Sequence, residues 1–271
     1  MKIALLVSGH FRTKKLEKLF QGWRNSFNQN DTIDLFLSSY YEDGKREGFQ
    51  VENGIKSGIY NTHTFTIDEI NDKIKNIFEN KVVIDIEKTD EVIDRFKKTI
   101  LPVYKKREKL YKEGKMSEGE MHNRLIANYS MWYKWNKAFN LINNKNYDVY
   151  LRLRADWVFE NKVNILDFKE NEIITPPWPD PFFNPSQPGC RKVELFENEL
   201  NDWWCYGSYN SIKNYCNLVE NYKELCKNIS YYDIINPHRL PVVNCTLQGT
   251  KIHKISNLMG LPISRIIGNE I

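Results

Sequence analysis

No stretch of this 271-residue chain approaches the roughly 20 apolar residues that a membrane-crossing helix needs. The opening run Ile3-Ala4-Leu5-Leu6-Val7 is too short for a secretory signal, and it leads into Ser8-Gly9-His10, not a small-residue cleavage site. We therefore expect a cytoplasmic protein with no transmembrane segment. A strong charge excess is lacking too. The 39 basic and 35 acidic residues leave a formal +4, which does not argue for nucleic acid. Close cysteine pairs are missing: Cys190, Cys205, Cys216, Cys226 and Cys245 are odd in number and lack zinc-site spacing, so reduced, mostly buried thiols are expected. Acceptor-like triplets at Asn128, Asn228 and Asn244 have no use in a chain that stays out of the secretory path. There is no Walker loop, no full dinucleotide fingerprint, no internal repeat and no linker that would separate independent domains.

What is present is an alternation of strands and helices. Ile3–Val7 is a continuous apolar run, typical of a strand covered on both faces in a parallel sheet. Ser8 and Gly9 follow, and a helix opening near Thr13 carries Leu16, Leu19, Phe20, Trp23 and Phe27 on one stripe. Asp34–Ser39 reads as a second strand, and the polar segment Glu42–Thr64 as a long loop or weak hairpin. Thr66 with Glu69 forms a capping box ahead of Ile70, Ile74, Ile77 and Phe78. Val82–Ile86 reads as a third strand, followed by a helix over about Glu91–Ile100 that stops before Pro102. A second capping box, Ser117 with Glu120, opens a long helix ending near Asn143, with Met131, Trp132, Trp135, Ala138, Phe139 and Ile142 as its apolar stripe. These features predict an α/β fold with a mostly parallel central sheet flanked by helices and an irregular C-terminal part. In that part, Pro176–Pro188 holds six prolines with Trp178, Phe182 and Phe183 between them, which excludes a central strand. Asn201–Ser208 reads as a strand and turn, and one helix then carries Ile212, Tyr215, Cys216, Leu218 and Val219.

The segment Tyr147–Trp157 alternates strictly between apolar and polar side chains. With a strand period of two, Val149, Leu151, Leu153 and Ala155 face one way and Tyr150, Arg152, Arg154 and Asp156 the other. Two arginines and an acid on one face of a half-buried strand are expensive to desolvate unless they bind something. Guanidinium forks suit diphosphate oxygens, and a carboxylate at a strand end suits Mg²⁺ or Mn²⁺. Ser8, Gly9 and Arg12 form a second candidate group, because ligands of open α/β sheets bind beyond the carboxyl ends of strands. Asp202, beside Trp203 and Trp204, is a third: an acid flanked by indoles suits a general base for a sugar hydroxyl. His238 and His253 are candidates to complete a metal site. The lysine-rich run Tyr104–Lys115 reads as a solvated helix face, or as a surface for an anionic membrane or acceptor.

Ser8-Gly9-His10-Phe11-Arg12-Thr13, Asp34-Leu35-Phe36, Met131-Trp132-Tyr133-Lys134 and Tyr147–Asp156 together resemble small GT-A glycosyltransferases of the kind encoded by large DNA viruses and bacterial surface-polysaccharide clusters. The resemblance implies one Rossmann-related domain over residues 1–271, with a nucleotide-sugar-binding half at 1–160 and an acceptor-side half at 161–271. It implies a nucleotide diphosphate sugar held by Ser8, Gly9, Arg12, Arg152, Arg154 and Asp156, and a glycan or lipid-linked acceptor. It also implies Mn²⁺ or Mg²⁺ between carboxylate and diphosphate, with Asp156 in the last position of an aspartate-x-aspartate element and His238 as a second metal candidate. The chain departs from that element, since Arg154 stands where its first aspartate would be. Either one carboxylate binds the metal, or the arginines replace it. Asp202 is the expected base or acceptor-hydroxyl ligand, and Pro176–Pro188 would shape the acceptor side. The rivals are a non-catalytic glycan- or nucleotide-binding module on the same scaffold and another nucleotide-dependent transferase. A sulfotransferase is disfavoured because Ser8–Thr13 lacks a basic, glycine-rich character.

Overall fold

The structure is a computed structural model. It describes residues 1–41, 44–52, 55–88, 91–92, 99, 105, 108–109, 112–114, 118–159, 162–176, 202–228, 238–254 and 263–265, with backbone only for 44–52, 55–62, 118–127 and 263–265. The proline-rich segment after Pro176, Ser117 and most of the expected helix at 91–100 lie outside the described residues.

The main sheet is built from β1 (Lys2–Ser8), β2 (Thr32–Tyr41), β5 (Val82–Lys88), β6 (Val149–Arg154), β8 (Glu172–Thr175), β9 (Trp204–Gly207) and β10 (Lys251–Lys254), in the order β10-β8-β9-β6-β1-β2-β5. Every pairing is parallel except those of β9 with β6 and β8. The fold class is therefore α/β with a mostly parallel sheet, as expected, and the C-terminal part is less irregular than expected because it supplies three of the seven strands. Two small antiparallel sheets stand apart: β3 (Gly44–Glu52) with β4 (Ile55–Thr62), and β7 (Trp157–Phe159) with β11 (Ile263–Arg265). The first is the hairpin that the polar 42–64 segment allowed.

β1 is central, and its side chains alternate between two cores. Ile3, Leu5 and Val7 join Leu35, Leu151 and Leu153 under α1 (Leu16–Asn25) and α2 (Ile67–Ile74). Ala4 and Leu6 join Phe36, Tyr150 and Cys205 under α3 (Glu118–Asn140), α4 (Tyr209–Cys216), α5 (Leu218–Asn228) and α6 (Leu240–Leu247). A side chain buried from both directions contributes about 1.5–3 kcal/mol, which explains an apolar run with no polar position in it. β6 divides in the same way, so Val149, Leu151 and Leu153 do face opposite to Tyr150 and Arg152. The strand is not half-buried, however, since both of its faces are covered and Arg152 is 1% exposed.

Local signals account for the helix limits. The capping box at α2 is formed: Glu69 N donates to Thr66 Oγ1 at 3.2 Å, and Thr66 N donates to Glu69 Oε2 at 2.7 Å. Helix α1 has no side-chain cap and begins at Leu16, later than the sequence suggested, held by its buried stripe. The single helix expected after Ser208 is two, broken at Asn217, with Ser208 Oγ accepting from Ser211 N as the cap of the first. Gly207 is required by packing: a Cβ there would lie 2.5 Å from the backbone oxygen of Glu172 on β8. Cys205, Cys216 and Cys245 are buried thiols, and burial pushes that of Cys205 up to about 12. Among the described residues no helix is long and apolar enough to cross a membrane.

Candidate functional site

The strand order reverses at β1. The chain runs from β1 outward to β2 and β5, then returns through α3 to place β6 on the other side of β1. Open α/β sheets bind their ligands in the crevice that such a switch point leaves at the carboxyl ends of the strands, here β1 and β6. Ser8 and Arg154 are paired in register across it.

The segment after β1 is pinned from both sides. Ala155 N donates to Ser8 O at 3.0 Å, Gly9 N donates to Ser38 O at 3.2 Å, and Ser39 Oγ donates to Gly9 O at 2.7 Å. Gly9 has φ +123°, a conformation that costs any side-chain-bearing residue strain. His10 then stacks on Tyr40 at 4.9 Å, and Phe11 is buried against Phe20 and Phe65. This anchoring turns Arg12 back toward β6, where its Nε lies 3.2 Å from Asp156 Oδ2. Because α1 starts at Leu16, the helix N-terminus is not the immediate neighbour of Ser8 and Gly9 that a phosphate cradle would need.

Across the crevice, Arg154 forks onto Asp156, with Nε to Oδ1 at 2.9 Å and Nη2 to Oδ2 at 2.8 Å. Its Nη1 donates to Asp202 Oδ2 at 2.9 Å. The Asp202 main chain is held by Arg152, whose Nη1 donates to its carbonyl oxygen, and Trp203 O accepts from Arg154 N at 2.9 Å. Two guanidinium groups thus engage two carboxylates, and a third, from Arg152, holds the Asp202 main chain. Side-chain exposure falls from Arg12 (21%) and Arg154 (18%) to Asp202 (11%) and Asp156 (4%), so the acids are the more deeply covered members, although Arg12 Nη1 is buried too.

Electrostatics keep the acids ionised. Burial would raise the carboxyl of Asp156, but the charges of Arg12 and Arg154 outweigh it and hold the group below the usual range. Burial likewise opposes ionisation of Asp202, and Arg154, His238 and Arg152 overcome it. Arg154, buried between both acids, is raised in turn.

Of the residues singled out from sequence, Ser8, Gly9, Arg12, Arg154, Asp156 and Asp202 meet at the crevice, and His238 lies within electrostatic reach of Asp202. Arg152 is corrected. Its guanidinium lies under the site, stacked 4.3 Å from the Trp135 indole, which stacks in turn on Tyr215 at 4.6 Å. Arg152 Nε and Nη2 are buried with no hydrogen-bond partner among the described residues. Its Nη1 holds the Asp202 main chain from beneath. His253 is also set apart, on the edge strand β10, 3.3 Å from Glu172. The indoles beside Asp202 are committed internally: Trp203 stacks on Trp157 at 4.2 Å, and Trp204 is buried against Tyr206 and Phe159.

A divalent cation does not fit Asp156. Two N–H donors of Arg154 and the ion-paired Arg12 guanidinium already occupy its two oxygens, and a cation there would sit against both positive charges. Among the described residues no group of three His, Cys, Asp or Glu side chains is placed to hold a metal.

Sequence reasoning missed a second polar cluster beside the crevice. Lys134 is fully buried on α3, with Glu87 Oε2 at 2.9 Å, Asp85 Oδ2 at 3.4 Å and the Tyr40 ring at 4.4 Å. Ser38 Oγ donates to Asp85 at 2.8 Å, tying the cluster to the end of β2. Its signal was a lysine between Trp132 and Trp135 in the apolar stripe of a helix. Farther off, at the opposite end of β6, a cavity of about 420 Å³ is lined by Lys145, Tyr147, Asp148, Tyr150 and Tyr209 among others. The basic run is a solvated face where described, with Lys112 2.7 Å from Glu108.

No family model and no curated protein matches the chain. Among solved structures, it is similar to the crystal structure of mouse xyloside xylosyltransferase 1 in its apo form, at 10% identity over 94% of this chain and 85% of that one, with a TM-score of 0.43. That likeness is too remote to assign any residue of the site.

Proposed function

We propose that the protein is a glycosyltransferase that moves a sugar from a nucleotide diphosphate sugar to a hydroxyl of a glycan or lipid-linked acceptor. The observation that carries this reading is the position of the Arg12, Arg154, Asp156 and Asp202 cluster at the topological switch point between β1 and β6, with its arginine side chains more exposed than its acids. The motifs that resemble the GT-A group support it from the sequence side.

In the reaction, the bond from the anomeric carbon to the diphosphate oxygen breaks and its electron pair leaves with the diphosphate. The acceptor oxygen bonds to the anomeric carbon, and the acceptor proton passes to solvent. Guanidinium groups fixed before the reaction stabilise the charge that develops on the leaving group. Asp202 suits the acceptor hydroxyl as a hydrogen-bond acceptor; with its carboxyl held low by Arg154, it is a poor general base.

The self-pairing of Arg154 with both acids favours one second reading, a non-catalytic nucleotide-binding module on the same scaffold. Incubation with a panel of nucleotide sugars and hydroxyl acceptors, read as released nucleoside diphosphate, separates the two. Acceptor-stimulated release with one donor, lost in Arg12→Ala, supports transfer. Binding without release by any donor supports the module, and neither binding nor release rejects both.

A further inference from the structure

Resting on that reading of the site, we infer that the chain neutralises its diphosphate with guanidinium groups alone and binds it without a divalent cation. A site that recruits a metal must turn carboxylate oxygens toward the ligand. The exposure runs the other way: the Arg12 and Arg154 side chains are 21% and 18% exposed, while Asp202 is 11% and Asp156 4% exposed. Every described contact to the Asp156 oxygens from Arg12 and Arg154 is a charged N–H donor, and Asp202 Oδ2 is taken by Arg154.

The charge inventory agrees. Arg12 and Arg154 balance Asp156 and Asp202, and the buried Arg152 behind them, bound to the Asp202 carbonyl oxygen, leaves the cluster as described with one net positive charge before any ion is added. Its excess suits a diphosphate and repels Mn²⁺ or Mg²⁺. The aspartates act as positioning residues: they lock two forks in one orientation, so little side-chain entropy is lost when the anion arrives.

Calorimetric titration of UDP, GDP, CDP and ADP into the full chain tests this, first in excess EDTA and then with MnCl₂ or MgCl₂. The expected result is that the preferred diphosphate binds in EDTA with a Kd within about threefold of the value with metal. Arg12→Ala should weaken it at least about tenfold, the worth of one charged hydrogen bond. Asp156→Asn, which removes the carboxylate that Arg12 and Arg154 share among the described residues, should weaken binding by loosening both forks yet leave the ratio of the Kd in EDTA to the Kd with metal unchanged. Its melting temperature without ligand reports that the fold is kept. Binding that requires Mn²⁺ or Mg²⁺, or a metal enhancement of the parent protein that a folded Asp156→Asn protein loses, overturns this inference and leaves the transferase reading standing. If no diphosphate binds under either condition, both are overturned.

Discussion

Replacing Arg154 by methionine keeps an unbranched apolar stem and removes the cation that, among the described residues, touches both acids. Asp156 keeps Arg12 at 3.2 Å, whereas Asp202 loses its only described side-chain donor, at 2.9 Å, with its side chain 11% exposed. Breaking a buried pair by removing one partner costs about 3–5 kcal/mol, because the surviving charge stays desolvated. For a chain of this size that lowers the melting temperature by roughly 10 °C. The pH dependence separates this cause from lost packing. In the parent protein both carboxyls are held below their ordinary value, so their stabilisation is present at neutral pH and is lost as pH falls below about 4. In Arg154→Met, burial dominates at Asp202 and its carboxyl rises. The penalty is then full at neutral pH and relieved as the pH approaches about 4, where the group protonates in both states. Urea denaturation of both proteins at about pH 7.5 and about pH 5 reads the difference directly. A stability loss under about 1 kcal/mol, or one that does not shrink at the lower pH, refutes the ion network as drawn.

Two further substitutions test the scaffold beneath the site. Gly207→Ala places a Cβ 2.5 Å from the Glu172 carbonyl oxygen where β9 meets β8; it should cost about 3 kcal/mol by chemical denaturation, at the upper end of overpacking penalties, and a neutral result contradicts that pairing. Thr66→Ala removes the Oγ1 acceptor of the capping box at α2; a loss of about 1 kcal/mol is expected in the same assay, unchanged between about pH 6 and about pH 8.

Where the sequence was legible, the pattern was local and repeated. The apolar run of β1, the alternation of Val149 to Ala155 and the Thr66–Glu69 box each needed only neighbouring residues to be read. The strands β8 and β10 were missed because four residues are too few to establish a period. The break at Asn217 was missed because an apolar stripe continues across it from α4 into α5. The candidate site was legible as a set of residues but not as a set of partners. Arg154 meets Asp202 and Arg12 meets Asp156 only through the topology of the sheet, which brings distant segments to one crevice. From the strand alone, Arg152 and Arg154 had equal standing, yet the covered face beneath Trp135 buries the first and the crevice exposes the second. Burial on both faces of a strand is a tertiary fact that periodicity does not carry.

The central claim is that a diphosphate settles in the crevice between β1 and β6. A crystal structure of the protein grown with whichever of UDP, GDP, CDP or ADP raises its melting temperature most tests this directly. The account predicts diphosphate oxygens within hydrogen-bond distance of the Arg12 or Arg154 guanidinium, beside the Ser8–Gly9 backbone. A nucleotide found instead in the cavity between Tyr147 and Tyr209, with the crevice empty, contradicts it.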